Sequence, residues 1–391
     1  MKIFITGGTG FIGSYVCDRY LRDTDHQLIA LTRAGSRDEA IEKFWNAMQL
    51  HMDAETFRSY VDRVRFVSGD LTAPALGIDA ADRKWIRENC DSVLHIAASL
   101  NRKSEKACLN QNLRGTLSVI QLAREIQDTN GLKRFSHVST VAVAGERSNE
   151  TVLEDRAIDW GRSDYDPYGR TKKFCEHMVR ELLPDVSKVF FRPSIVMGDS
   201  RFARTTQFDM VRAFCVLADL PVIPFRGDSR QDIVNADWVG RAIATIHTKP
   251  NPSHEIYHLS AGESSKTAEE IAWAIADKVG RRRARFVTPL QQPFALTMNA
   301  LSDLPSRNAA QLVGSLFKVF LPYITYNTVF DNSRAVKEIG IPPTPFTKYC
   351  AELYRFAKSV NYQHRPLPLP PPNPMRAPAQ NRDDNVNAEA L

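Results

Sequence analysis

The chain has 391 residues, of which 43% are hydrophobic and 25% charged, and it carries a net charge of +6. That length buries a sizeable core in one large domain or two, and so ordinary a composition excludes a disordered, collagen-like or coiled-coil chain. The modest charge gives no electrostatic case for nucleic acid, and no apolar run reaches the roughly 18 residues that would span a bilayer.

Six cysteines (Cys17, Cys90, Cys108, Cys175, Cys215 and Cys350) are scattered, with no C-x-x-C pair and no metal-ligand spacing. A reducing, cytoplasmic setting without a bound metal is the expectation, and the N-terminus enters a strand without a signal peptide.

The first element is the apolar strand Ile3–Thr6, followed by "TGGTGFIG" with Gly7, Gly8, Gly10 and Gly13. After it Phe11, Ile12, Val16 and Tyr20 recur at helical spacing. Strand, glycine turn and helix in that order are the context of a dinucleotide-binding fingerprint. Glycine permits the positive-φ turn and lets backbone N–H groups approach a pyrophosphate. Further strands are expected at Leu28–Thr32, Val64–Val67, Ser92–Ile96, Arg134–Thr140 and Lys188–Arg192. Helical patterns at Asp38–Gln49, Asn110–Gln127 and Thr171–Leu183 lie between them. The alternation predicts an α/β fold, a doubly wound, mostly parallel sheet with helices on both faces and ligands beyond the strands' carboxyl ends.

Beyond Gly198 the alternation weakens. The predicted organisation is a dinucleotide-binding domain over 1–198, to which 232–261 returns. A smaller substrate lobe would comprise 199–231 and 262–362. Residues 363–391, with seven prolines from Arg365 on, read as a disordered tail. The basic run Arg281-Arg282-Arg283-Ala284-Arg285 reads first as a solvated helix end, and otherwise as a contact for an acidic carrier surface or a phosphate.

Three stretches at strand ends carry candidate chemistry. Asp70 and Leu71 in "GDLTAPALGI" could face an adenine edge. Ala97 and Ala98 in "HIAAS" are small enough for close passage of a cofactor, with His95 read as structural. "HVSTVAVAG" supplies Thr140 as a donor to a substrate oxygen, and "DPYGRTKKFCE" places Tyr168 and Lys172 four apart on one helix face. A phenol with an ordinary pKa of about 10 is a poor acid–base group near neutrality, and a neighbouring ammonium is expected to pull it down. The second strand ends in Thr32-Arg33, where a carboxylate would repel a 2′-phosphate and arginine attracts one, so the expected cofactor is NADP(H).

Together "TGGTGFIG", "GDL", "HIAAS", "NLRGT", "VSTVAVAG", "YGRTK" and "RPSIVMGDS", spread over Met1–Ala261, closely resemble the extended short-chain dehydrogenase/reductase family. The resemblance implies a catalytic Thr140, Tyr168 and Lys172, with Ser139 the neighbouring candidate. It also implies cofactor contacts from Thr6, Gly7, Gly10, Phe11, Ile12 and Gly13, and again from Asn112, Lys172, Arg192, Pro193, Ser194 and Ile195. The long link from Arg33 to Asp70, with "RPSIVMGDSR", looks like the thioester-reductase and fatty acyl reductase branch. That branch implies reduction of an acyl thioester carried on CoA or an acyl carrier protein. Sugar-nucleotide epimerases or dehydratases, hydroxyl or ketone dehydrogenases, and a non-catalytic NADP-binding regulator are the other readings, and a homodimer stays open.

Overall fold

The computed structural model describes residues 1–305 and 308–372. Seven parallel strands form one sheet: β1 Lys2–Thr6, β2 Gln27–Thr32, β3 Val64–Ser68, β4 Ser92–His95, β5 Arg134–Val138, β6 Lys188–Pro193 and β7 Ile256–Leu259. Their spatial order is β7-β6-β5-β4-β1-β2-β3, the doubly wound dinucleotide-binding order with its switch point between β1 and β4. Ile3, Phe4 and Ile5 are fully buried, as are Val93 and Leu94. Both sheet faces are covered by helices, so continuous apolar runs suit these strands better than alternation.

The helices on the sheet are α1 Phe11–Asp23, α2 Arg37–Met48, α3 Ala54–Val61, α4 Ala80–Asn89, α5 Gly115–Asn130, α6 Pro167–Leu182 and, later in the chain, α8 Ala236–Thr248. Caps fix several starts. Ser36, Asp53 and Asp79 each accept a backbone N–H from the first helical turn, and Asp166 caps α6 with Pro167 at the first helical position. The expected single helix Asn110–Gln127 is instead a π-helical turn, Cys108–Arg114, running into α5.

Helices α3 and α4 escaped sequence reading because each buries a single side chain, Phe57 and Ile86 respectively. One buried residue leaves no apolar stripe to recognise.

A second apolar cluster is built by α7 Asp209–Asp219, α9 Ala268–Val279, α10 Gln291–Ser302, α11 Ala309–Thr325 and α13 Cys350–Ser359. The short helix α12 Ser333–Ile339 returns to the sheet, where Ala335 joins the core around β1 and β7. A cavity of about 610 Å³ opens between α10 and α11, lined by Met298, Phe317, Leu321, Thr325, Tyr326 and Gln292. No helix among the described residues is long and apolar enough to cross a membrane.

The proline-rich stretch departs from expectation where it is described. Residues 363–372 lie against α2 and α3 rather than loose. Trp45 Nε1 donates to the Leu367 carbonyl at 2.9 Å, and the Gln49 side-chain oxygen accepts the Leu367 N–H at 2.9 Å. Arg58 donates to the Pro370 carbonyl, and Leu369 packs against the core. Prolines lower the entropy cost of an extended segment, so a few such contacts suffice to seat it. The remainder of the expected tail, 373–391, lies outside the described residues.

Candidate active site

The glycine turn follows β1 and is closed by the Gly10 N–H donating to the Gly7 carbonyl at 2.9 Å. Gly7 has φ +77°, and a Cβ there would stand 2.6 Å from the Ala97 nitrogen. A Cβ on Gly13 would stand 1.9 Å from the Gly7 oxygen. The turn therefore packs between the first turn of α1 and the chain leaving β4, and only glycine fits at either point.

Thr6, buried, hydrogen-bonds His95 Nδ1 at 2.6 Å, while His95 Nε2 meets Thr116 Oγ1 at 3.0 Å. His95 is thus a satisfied core residue, and burial pulls its pKa down to about 3. Phe11, Ile12, Ala97 and Ala98 are half-buried around the same opening.

At the neighbouring strand ends, Thr32 is buried and Arg33 exposed. The Lys43 ammonium donates to the Arg33 carbonyl and to Glu39. Asp70 accepts both the backbone N–H and the hydroxyl of Thr72 at 2.7 Å, which holds its carboxyl below the usual range, with the Arg33 charge adding to the effect. Leu71 packs beside Gly115 at the start of α5. Strand β5 ends at Val138, short of the expected Thr140. Thr140 lies just beyond, and its hydroxyl caps the turn Val141–Ala144 by accepting from the Ala142 N–H at 3.2 Å.

Helix α6 brings Tyr168 and Lys172 to this place. Gly169 lets it approach closely, since a Cβ there would meet the Ala142 oxygen at 3.0 Å. Tyr168 is buried, and Thr140 beside it favours the ionised form of its phenol. The Lys172 ammonium donates to the Val138 carbonyl at 2.7 Å, and burial lowers its pKa to about 8.

The expected downward pull of Lys172 on the Tyr168 phenol is not what dominates. Burial raises the Tyr168 pKa, and the cation that opposes this is Arg102. The Arg102 guanidinium carbon sits 4.7 Å from the centroid of the Tyr168 ring and 4.7 Å from that of Tyr323 on α11. Arg102 Nη1 donates to Asp166 Oδ2 at 2.9 Å and to the Tyr323 hydroxyl at 2.5 Å; the Tyr323 hydroxyl donates to the same Asp166 oxygen at 2.9 Å.

Sequence reasoning missed Arg102, Asp166 and Tyr323. Only Asp166 left a signal, the cap-then-proline pair "DP" opening α6.

Two expected cofactor residues are committed elsewhere. Arg192, 1% exposed, gives its guanidinium to both carboxylate oxygens of Glu176, at 2.8 and 2.6 Å, and to the Glu154 carbonyl. A buried charge must be paired, and this pair consumes it. Asn112 spends its amide on the Ser99 backbone, at 2.7 and 3.3 Å, and on Thr171 Oγ1 at 3.3 Å, tying the β4 loop to α6. Pro193 ends β6 and Ser194 and Ile195 follow it, and the Thr140 hydroxyl donates to the Pro193 carbonyl at 3.5 Å. In the basic run, Arg281 pairs with Asp219 and Arg283 with Asp277.

A glycine cradle at the switch point of a parallel sheet, with a Thr–Tyr–Lys cluster at the next strand ends, defines an NAD(P)-binding protein of Rossmann type. The profile of the family described as "Male sterility protein" matches residues 5–243. The chain belongs to that family, which is of the extended short-chain dehydrogenase/reductase type.

It is 31% identical over 191 residues to the fatty acyl-CoA reductase wat of Drosophila melanogaster, covering 48% of this chain and 36% of that protein. It is 30% identical over 345 residues to an isonitrile lipopeptide synthase of Mycobacterium tuberculosis, covering 78% of this chain and 13% of that protein. The chain thus spans about a third of the first relative and far less of the second. The terminal R domain of the myxalamid PKS-NRPS pathway superposes with a TM-score of 0.77 at 20% identity, over 94% of this chain and 92% of that one.

Proposed function

We propose that this protein is an NADP(H)-dependent reductase of acyl thioesters carried on CoA or on an acyl carrier protein. The observation that carries this reading is the convergence of Thr140, Tyr168 and Lys172 beside the glycine cradle, in a chain whose relatives include a fatty acyl-CoA reductase. The cradle fits a dinucleotide, because Gly7 and Gly13, where a Cβ would strike the protein's own backbone, let the turn close tightly at the N-terminus of α1, the kind of place that binds a pyrophosphate. Residues Thr6 to Gly13 would hold the pyrophosphate, with Arg33, exposed at the end of β2, at the 2′-phosphate.

The bound nicotinamide would supply a hydride. Thr140 and Tyr168 would each donate a hydroxyl to one carbonyl oxygen and stabilise the charge growing on it. Tyr168 passes its proton to that oxygen. Lys172, anchored on the Val138 carbonyl, fixes the helix turn below and is placed to meet a ribose. The cavity between α10 and α11, at about 610 Å³, has the size of a small-molecule site, and Met298, Phe317 and Leu321 on its mixed polar and apolar wall could meet an acyl chain. Tyr326 on its wall stacks with Tyr165, three residues before Tyr168. The substrate lobe is accordingly assigned to 199–231 and 262–362.

The test is NADPH oxidation with long-chain acyl-CoA, set against UDP- or GDP-sugars and ketones. Tyr168→Phe should lower turnover at least about a hundredfold while leaving the NADPH Kd within about twofold. Full activity in that variant overturns the assignment. Tight NADPH binding with no turnover of any carbonyl favours a regulator instead.

A further inference from the structure

Arg102 is held as firmly as any residue near the site, yet the chemistry proposed above does not use it. It leaves the loop after β4, crosses the face of Tyr168 and ends against Tyr323 of α11. Its side chain is 19% exposed and that of Asp166 11%. Asp166 divides its two oxygens: Oδ1 caps α6 by accepting the Gly169 N–H at 2.8 Å, and Oδ2 accepts from Arg102 and Tyr323. The helix that carries Tyr168 is thereby joined, through one carboxylate, to a cation lying on the Tyr168 ring.

A cation over an aromatic face is attracted to the neutral ring, and more strongly to the same ring once it carries a phenolate charge. The charged and titratable groups that bear most on Tyr168 come from four elements. Arg102 from the β4 loop and the Thr140 hydroxyl favour the phenolate. Asp166 at the helix cap and Cys108 from the π-helical turn oppose it, as does burial. Lys172, one turn along α6, directs its ammonium to the Val138 carbonyl.

We propose that Arg102 is a positioning residue for Tyr168, holding a fixed positive charge on the face of its ring. Asp166 governs how much of that charge the phenol feels, and Tyr323 sets where the guanidinium sits. This rests on reading Tyr168 as the proton donor, but its test does not. A residue that merely tied α11 to α6 would leave the Tyr168 ionisation where it is. A charge on the ring predicts shifts of opposite sign when the cation and the anion are removed in turn.

The phenol is followed by ultraviolet difference titration of the full chain, each variant being subtracted from the same variant carrying Tyr168→Phe, which cancels the other tyrosines. Arg102→Met should raise the Tyr168 midpoint by about one pH unit, tenfold in the dissociation constant. Arg102→Lys should restore it to within about half a unit. Asp166→Asn, which keeps an N-cap side chain, should lower it. The basic limb of the turnover profile should move with each midpoint.

Midpoints that stay put, or that move the same way in Arg102→Met and Asp166→Asn, overturn the proposal. Should Arg102→Met fail to fold, an unchanged or raised midpoint in Asp166→Asn overturns it alone. Full activity in Tyr168→Phe would remove the catalytic reading of Tyr168 and leave the titration result standing.

Discussion

Gly13→Ala adds one methyl group to the first turn of α1, where helix propensity alone would gain about 1 kcal/mol. The structure reverses that sign. The new Cβ would stand 1.9 Å from the Gly7 oxygen, 2.8 Å from the Gly7 carbonyl carbon and 2.9 Å from Gly8 Cα. All three are backbone atoms, so no rotamer relieves the clash. Nor can Gly7 retreat, because it already lies against the chain at Ala97 and its oxygen holds the Gly10 N–H.

Overpacking of this kind costs about 1–3 kcal/mol, and displacing the Gly7 carbonyl also loosens a hydrogen bond worth about 1 kcal/mol. After the propensity gain, the expected loss of stability is about 1–3 kcal/mol. Cofactor affinity should suffer more, since the N–H groups of the turn make charge-assisted bonds of about 1.5–3 kcal/mol each. Losing one weakens the NADPH Kd by roughly 10- to 100-fold.

The assay is calorimetric titration of NADPH alongside thermal unfolding. Gly280→Ala serves as the control, because Gly280 has φ +71° with nothing within 4 Å of its added Cβ, so it should cost about 1 kcal/mol of stability and leave the Kd unchanged. A Gly13→Ala protein that binds NADPH within twofold of the parent would refute the reasoning, whatever its melting temperature.

Three other outcomes are expected. Arg33→Asp should weaken NADPH at least about tenfold relative to NADH, read from the ratio of the two Kd values; equal effects would remove the case for a 2′-phosphate contact. His137 is fully buried with neither ring nitrogen partnered, and burial holds its pKa well below 6.5. Its neutral form therefore contributes stability that is present above pH 6.5 and is lost as pH falls, because the unfolded chain takes up the proton first. The slope is about 1.4 kcal/mol per pH unit, and His137→Met should flatten the denaturant-derived stability between pH 6.5 and 5 by that amount. Gln49→Ala removes two hydrogen bonds to Leu367, at 2.9 and 3.2 Å, and should speed proteolytic cleavage within 363–372 several-fold while the NADPH Kd is unchanged.

The sheet was legible because most of its strands are short, largely buried apolar runs that alternate with helices, although β3 at the edge is partly exposed and β5 carries Arg134, Ser136 and His137. The glycine turn, Thr140, Tyr168 and Lys172 were legible because this topology gathers strand ends in one crevice. Tyr323 was not. It meets Asp166 from 157 positions away and Arg102 from 221, and no local pattern encodes a contact of that span. Arg192 shows the opposite limit: its motif is local, but the pairing of its guanidinium with Glu176 is made by burial, which a motif does not report. The same holds for the proline-rich stretch, whose composition says that it cannot form a core, not that it cannot lie on one.

Strand β7 arrives late. It pairs with β6 at Ile256–Leu259, beyond the residues 5–243 that the family profile covers, and the chain leaves the sheet after β6 and comes back only then. A chain cut at 243 would keep the whole glycine cradle and the Thr–Tyr–Lys cluster, yet it would expose the backbone edge of β6 from Phe190 to Pro193. An open, flat, apolar edge of this kind recruits strands from other molecules. The part of this protein that defines its family is therefore not a part that could be lifted out cleanly: the strand that covers its last edge lies outside it.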